Sequence, residues 1–338
     1  MSNIIIIISY PLIIYLINSF LTKKNLIPNY SGDEHQRFFE KDNIQLSGGI
    51  FIIPILLMIT FNYSLLLTIT IISIFLLGLF SDIGFFSSAK YRFLAQAIII
   101  LLFIIFSETK LTSVRIETFD LMLENNLFNL FFTLFCLMIL INGTNFIDGL
   151  NGLVLSYYLS ILIIIFNLGL FEYSVLSNDD IFLIIIIFIY LILFNIFNQL
   201  YIGDSGSYLI GFVIGYFMIQ IYENELLFSP YFIALLLWYP AFEILFSILR
   251  KIIYKKSPFT ADNKHFHHLL FLHLSKKYEL SNNFSNNLCS FLIILFNIII
   301  FYIATFNIYY TALHVSLFIF NISVYLFVYL KLYKTYYE

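Results

Sequence analysis

Asn142-Gly-Thr-Asn-Phe-Ile-Asp148-Gly-Leu-Asn151-Gly152 stands between two long apolar runs, Leu127 to Ile141 before it and Leu153 to Leu170 after it. Three amides, one carboxylate and three glycines therefore fall where one hydrophobic segment ends and the next begins. Such groups are costly in hydrocarbon and cheap at a membrane face. Asn142, Asn145, Asp148 and Asn151 recur at every third position. In a helix that spacing makes one polar stripe; in a loop the glycines let a ligand approach the backbone closely. A turn that only joins two spans needs neither, so the stretch reads as ligand-binding.

Working outward, the flanking apolarity turns out to be general. Of 338 residues, 61% are hydrophobic and 11% charged. A soluble domain cannot hide that much apolar surface, so the expected fold is an all-α polytopic membrane protein forming one domain over residues 1–338. Apolar runs of spanning length are expected near 4–21, 48–62, 64–80, 94–107, 127–142, 153–170, 181–197, 206–222, 229–249, 288–306 and 311–330, about eleven in all. The first run leads into Lys23-Lys24 without a small-residue cleavage site and reads as a retained helix. Cys136 and Cys289 lie inside apolar runs and suggest neither a metal pair nor a disulfide.

The net charge of −3 matters less than its distribution. Fifteen of the seventeen Lys and Arg fall in the breaks after odd-numbered spans; only Lys110 and Arg115 fall after even ones. The basic side is cytoplasmic by the positive-inside rule, placing the N-terminus outside and the C-terminus inside. Every polar stretch suited to chemistry falls on that basic side: 32–49, 78–96, 142–152, 198–207 and 250–277. The acids opposite, such as Glu117, Asp120, Asp179 and Asp180, show no recurrent spacing and read as a solvated face. A transporter is expected to place polar groups near mid-membrane in two related halves. Here they collect at one face with no internal repeat, which favours a membrane enzyme over a lipid-linked sugar transporter or flippase.

Four further groups stand out. Gly203-Asp204-Ser205-Gly206-Ser207 opens an apolar run; a carboxylate among small residues can hold a divalent cation, and free N–H groups at a helix start suit an anion. A plain helix cap is the structural alternative. Ser81-Asp82, then Lys90, Arg92 and Gln96, puts an acid and a lysine at one membrane face, suited to metal-phosphate chemistry; Lys90 and Arg92 read equally well as interfacial cations. In Asp262-Asn-Lys-His265-Phe-His267-His268 the alternating rings fit an extended segment presenting both one way. The cysteines are remote, so phosphate contacts fit that group better than zinc. Glu243, three residues after Pro240, is an intramembrane acid. It is open to a functional role, a bond to a neighbouring span, or a pair with Arg250.

In this order, from about Asp33 to His268, the motifs resemble the polyprenyl-phosphate N-acetylhexosamine-1-phosphate transferases, integral membrane enzymes that begin lipid-linked polysaccharide assembly. Asn142–Gly152 resembles their Asn-x-x-Asn-x-x-Asp-Gly-x-x-Gly loop, and Gly203–Ser207 their Gly-Asp-Ser-Gly-Ser. Gly78–Gln96 is similar to their Asp-Asp…Lys…Gln region, and Asp33-x-His35-Gln36-Arg37 with Gly48-Gly49 to their first cytoplasmic loop. Pro240-x-x-Glu243 with Arg250 resembles a Pro-x-x-Asp…Arg pattern, and His265-x-His267-His268 the His-x-His-His motif of the hexosamine-phosphate branch.

The resemblance implies transfer of a sugar 1-phosphate from a UDP-N-acetylhexosamine to undecaprenyl phosphate, at the cytoplasmic face of a bacterial inner membrane. The expected cofactor is Mg2+, with Mn2+ as substitute. It implies metal ligands at Asp204 and Asn145, and catalytic roles for Asp82, Lys90, Asp204, His265 and His267. Substrate contacts are implied at Asn142, Asp148, Asn151 and His268: Asp148 and Asn151 toward the uridine, Lys90 toward the lipid phosphate, and His265 and His267 toward the diphosphate. No nucleic-acid partner is implied, and a homodimer is compatible with it. One departure stands out: Ser81-Asp82 replaces the family's two adjacent aspartates, so a general-base role for the first cannot carry over.

Overall fold

The computed structural model describes residues 2–24, 44–86, 88–260 and 262–337; Asp33, His35, Gln36 and Arg37 lie outside them. The helices are α1 (Ser2–Lys24), α2 (Gly48–Thr60), α3 (Leu65–Asp82), α4 (Ala89–Ser107), α5 (Glu117–Leu123), α6 (Asn126–Ile147), α7 (Leu153–Asn167), α8 (Asn178–Ile196), α9 (Gly203–Asn224), α10 (Pro230–Leu236), α11 (Trp238–Ile253), α12 (Phe266–Lys277), α13 (Asn282–Ala304) and α14 (Thr311–Tyr337). Two short strands, β1 (Gln45–Leu46) and β2 (Leu200–Tyr201), pair in parallel, Gln45 opposite Leu200. Starts are set by short polar side chains. Ser64 accepts the Leu67 N–H, Asn125 accepts from Leu127 and Phe128, and Ser177 with Asp180 forms a capping box.

Each of the eleven expected apolar runs forms helix. Among the described residues eight helices are long and apolar enough to cross a membrane: α1 from Ile5, α3, α4, α6, α8, α9, α13 with its 3-10 extension to Asn307, and α14. The chain is a polytopic membrane protein. The run 229–249 is not one rod, because α10 and α11 meet at a bend of 75°. Such a bend frees main-chain groups, which hydrocarbon cannot satisfy. Tyr157 answers it: its hydroxyl donates to Leu236 O at 2.7 Å and accepts the Tyr239 N–H at 3.3 Å. α2 and α7, 13 and 15 residues long, rise only about 20–22 Å against a hydrocarbon core of about 30 Å.

The bundle is built around α9, buried along nearly its whole length and packed against α2, α3 and α6. Small residues allow the close approach. A Cβ on Gly49 would strike the Ser205 side chain, one on Gly78 the Ser205 main chain, and one on Gly211 would lie 2.8 Å from Ile141 Cα. α1, α4 and α14 are the outer helices, with less than a quarter of their apolar windows buried. Lipid covers those faces.

Candidate active site at one end of the bundle

α3 ends at Asp82, α4 begins at Ala89, α6 ends at Ile147 and α9 begins at Gly203, all at one end of the bundle. A cleft of about 510 Å³ opens there, lined among others by Asp204, Asn145, Asp148, Arg92, His265 and His268. A smaller recess of about 140 Å³ shares Asp82, Asn145, Asp148 and Asp204 with it and extends to Asn151 and Asn195. The polar residues singled out from sequence thus converge from five helices.

The Asn142–Gly152 stretch is half helix and half turn. α6 continues through Ile147, placing Asn142 and Asn145 on its last two turns, one helical turn apart. Asn142 donates to Gln96 Oε1 at 2.9 Å, fixing α6 to α4. Asn145 donates to Asp204 Oδ1 at 2.6 Å and to Ser207 at 3.1 Å. Asp148 closes the helix, and burial, with the Asp204 and Asp82 carboxylates adding to it, holds its carboxyl well above the usual range. Asn151 is turned away from the larger cleft. Its amide donates to Asn198 at 2.7 Å, and its N–H donates to Asn286 Oδ1 at 2.7 Å.

Asp82 does not face the cleft with a free carboxylate. Its Oδ1 accepts the Asp204 N–H at 2.7 Å and its Oδ2 the Ser205 N–H at 3.0 Å. The first donors of α9, expected from sequence to be free for an anion, are thereby already taken by an acid 122 residues away. Gly203 makes this seat. Its φ of +71° is a left-handed conformation that L side chains rarely adopt, and a Cβ there would meet both Asp82 oxygens at 2.9 Å.

The Asp204 carboxylate is held on all sides: Oδ2 by Arg92 Nη1 and the Ser81 hydroxyl, each at 2.5 Å, and by Tyr208 at 3.1 Å; Oδ1 by Asn145. Arg92 and Lys251 are the cations lining the cleft. Lys251 donates to the carbonyls of Pro258 and Thr260, at 3.2 and 2.8 Å, and sits 5.5 Å over the Phe146 ring. From sequence, Arg92 reads evenly as a metal-phosphate group or an interfacial cation, and Lys251 does not stand out. Neither cation stands within one turn of a motif acid in the sequence, and snorkelling gives the same pattern. Lys90, by contrast, is exposed at the start of α4 and lines neither recess.

The histidine motif is helical, which corrects the extended reading. His265 is the N-cap of α12, so the two following histidines stand in its first turn; the His265 and His267 rings are nearly parallel, at 11°, and His268 stands across them. His265 and His268 line the cleft, whereas His267 is fully buried beneath Gly149 with no hydrogen-bond partner among the described residues for either ring nitrogen. Burial drives the His267 ring well below its ordinary value, with His268 and His265 adding to the effect. His265 Nδ1 lies 3.0 Å from Glu243 Oε1, and its Nε2 3.6 Å from Asp262. Glu243, fully buried, also accepts from Tyr325 of α14 at 2.7 Å and from the Phe266 N–H at 3.3 Å. Arg250 turns instead to Asp262, at 3.0 Å to both oxygens. Burial works to raise Asp262, but His265 and Arg250 outweigh it and hold that carboxyl below its usual range.

Among the described residues no three His, Cys, Asp or Glu converge tightly enough to cage a metal. Mg2+ does not ask for that: it commonly takes one or two carboxylates, waters and substrate phosphates. Asp204 and Asp148 share the cleft, and Asn145 Oδ1 makes no hydrogen bond among the described residues. This all-oxygen donor set fits such a cation. Cys289 is buried and Cys136 half-buried, both free, as the apolar runs around them suggested.

Residues 64–222 match the family model described as glycosyl transferase family 4. The chain is 26% identical over 199 residues to an undecaprenyl-phosphate alpha-N-acetylglucosaminyl 1-phosphate transferase of Thermotoga maritima, covering 59% of this chain and 58% of that protein. It is 26% identical over 217 residues to a probable undecaprenyl-phosphate N-acetylglucosaminyl 1-phosphate transferase of Bacillus subtilis, covering 60% and 57%. The matches span less than two-thirds of the length of either relative. The matched region holds Ser81, Asp82, Arg92, the Asn142–Gly152 stretch and Asp204, the acid and amide half of the cleft. Residues 64–222 are thus similar to glycosyl transferase family 4, and both relatives support the family resemblance read from the motifs.

Proposed function

We propose that this protein transfers an N-acetylhexosamine 1-phosphate from a UDP-sugar to a polyprenyl phosphate, undecaprenyl phosphate by analogy with both relatives, and so begins a cell-envelope polysaccharide. The observation that carries the reading is the single cleft. It gathers Asp204, Asn145, Asp148, His265 and His268 with two cations, at the end of the bundle where the family motifs meet. The basic loops support a cytoplasmic location for that end, in a bacterial inner membrane, with the N-terminus outside and the C-terminus inside; on this reading eleven crossings count short α2 and α7 and the bent α10–α11 pair as one each.

In this reading an oxygen of the lipid phosphate attacks the β-phosphorus of the donor. The bond from that phosphorus to the bridging oxygen breaks, and UMP leaves with the oxygen. The lipid phosphate has a second pKa of about 6 and is largely ionised at neutral pH, so no general base is needed at position 81. Bound at Asp204, with Asn145 and Asp148 beside it, Mg2+ would offset the charge that builds on the transferred phosphoryl oxygens. Arg92 and Lys251 bring fixed positive charge to the same cleft, Arg92 through a planar fork that matches phosphate oxygens. His265 and His268 face the diphosphate, and Glu243 fixes the His265 ring by its Nδ1. Asp148 and Asn151 line the smaller recess, which in this reading takes the uridine end. In this reading Lys90, exposed at the start of α4, attracts the lipid phosphate from outside the cleft.

The test uses purified full-length protein in detergent with undecaprenyl phosphate, Mg2+ and a panel of UDP-N-acetylhexosamines. UMP release from one donor, abolished by chelator, is expected and names the sugar. No UMP from any donor, with protein and lipid intact, favours a carrier of lipid-linked sugars instead.

A further inference from the structure

The contacts around Asp204 leave no oxygen bare. Arg92 Nη1 meets Oδ2 at 2.5 Å and also donates to Ser81 Oγ, while the Ser81 hydroxyl donates to the same Oδ2. Tyr208 and Asn145 complete the set. All of these are N–H or O–H donors, and a divalent cation needs the oxygens they cover. Arg92 itself is incompletely matched where it sits: its Nε is buried and meets no acceptor among the described residues. Lys251 is tied to the carbonyls of Pro258 and Thr260, so the ion pair to Asp204 is made by Arg92 alone among the described residues.

We propose that Arg92 is the resident counter-ion of Asp204 in the ligand-free protein. A divalent cation enters only by displacing it, which releases the guanidinium toward a phosphate oxygen in the same cleft. The inference rests on the reading that Asp204 takes a divalent cation. Three features support it. Two positive charges cannot share one carboxylate oxygen at contact distance, since unit charges at about 4 Å interact by about 4 kcal/mol even at an effective dielectric constant near 20. The unmatched Nε leaves Arg92 short of acceptors in its present position, and a phosphate would supply them. Ser81 explains why the pair forms here. A hydroxyl bridges arginine to Asp204, where a carboxylate at 81 would offer the guanidinium a second acid to rest on.

The probe is Mn2+ alone, its binding followed by electron paramagnetic resonance on full-length protein in detergent, without lipid or nucleotide. Arg92→Gln is expected to bind Mn2+ about tenfold more tightly than wild type, a modest fraction of the charge repulsion removed. Adding Asp204→Asn is expected to abolish the gain. Equal affinities in wild type and R92Q, both weakened by D204N, overturn this inference and leave the metal reading standing. Mn2+ binding indifferent to D204N, or absent from every protein, overturns both. A measurement without variants guards against misfolding of R92Q. Phenylglyoxal modifies accessible guanidinium groups, and peptide mass mapping reports each site. Mn2+ is expected to speed modification of Arg92 several-fold relative to Arg115 and Arg250, and an unchanged Arg92 rate contradicts displacement.

Discussion

Asp82 holds Asp204 by its main chain: the Asp82 carboxylate accepts the N–H groups of Asp204 and Ser205 at 2.7 and 3.0 Å, tying the end of α3 to the start of α9. The acid read from sequence as catalytic is therefore a seat for the other. Negative charge at a helix N-terminus is favourable, and loss of such a cap costs about 0.5–2 kcal/mol. Asp82→Ala is expected to lower both the thermal midpoint and the activity, because Asp204 loses its anchor. A thiol-reactive dye reporting exposure of buried Cys289 measures the first, and UMP release the second. A fully active, fully stable D82A protein contradicts the seat.

Asp204→Asn should behave differently. The side chain keeps its size and much of its hydrogen bonding, so membrane insertion and the thermal midpoint are expected to hold. Removal of one fixed electrostatic partner of a phosphoryl transfer is expected to cut turnover by about 10²–10³. Unchanged turnover removes Asp204 from the metal assignment.

Glu243 links three elements through His265, Tyr325 and the Phe266 N–H. Glu243→Gln preserves a hydrogen-bonding shape and should lower activity while the protein stays folded. Glu243→Ala strands buried donors at about 1–3 kcal/mol each and should destabilise the protein as well. The checks are the pH profile of turnover and the thermal midpoint. If Gln and Ala lower both by the same amount, orientation of His265 is not the role of this acid.

His267 gives a pH dependence with a definite sign. Its folded-state pKa lies well below the ordinary value near 6.5, so below that pH the unfolded chain binds a proton that the folded protein refuses. Stability is expected to fall as pH drops through about 6.5, by up to about 1.4 kcal/mol per pH unit from this site, until the depressed pKa is reached. Thermal midpoints at pH 7.5 and 5.5 should differ less in His267→Leu than in wild type. An equal drop in both contradicts a neutral buried ring.

Gly78 packs against the Ser205 main chain, and a methyl there would lie 2.6 Å from Ser205 N. Gly78→Ala is expected to cost about 1–3 kcal/mol by overpacking and to move the start of α9 out of register with the cleft. Activity and midpoint should fall together; an unaffected protein means that α3 and α9 sit less closely.

What the sequence reveals here follows from the physics of each signal. Apolar runs are local and long, so all eleven were legible as helices; the Asn142–Asn151 stretch was legible as polar, but not that its helix ends at Ile147 and its second half forms a turn. The bend at Leu237 was not, because Pro230 begins α10 and the tyrosine that satisfies the break lies in α7. The helical start at Phe266 was lost because the alternation of His265 and His267 also suits a strand. Residue identities marked Asp82, Arg92 and Glu243 as unusual but not their partners. Asp82 and Asp204 are 122 residues apart, Arg92 and Asp204 112, and Glu243 and Tyr325 82.

The most direct test of the account follows both products of one reaction: UMP, and the polyprenyl-diphospho-N-acetylhexosamine identified by mass spectrometry, for wild type and Asp204→Asn. The account predicts the two products in equal amounts from the wild-type protein and neither at a comparable rate from the variant. UMP without lipid-linked sugar, or equal yields from wild type and variant, contradicts it.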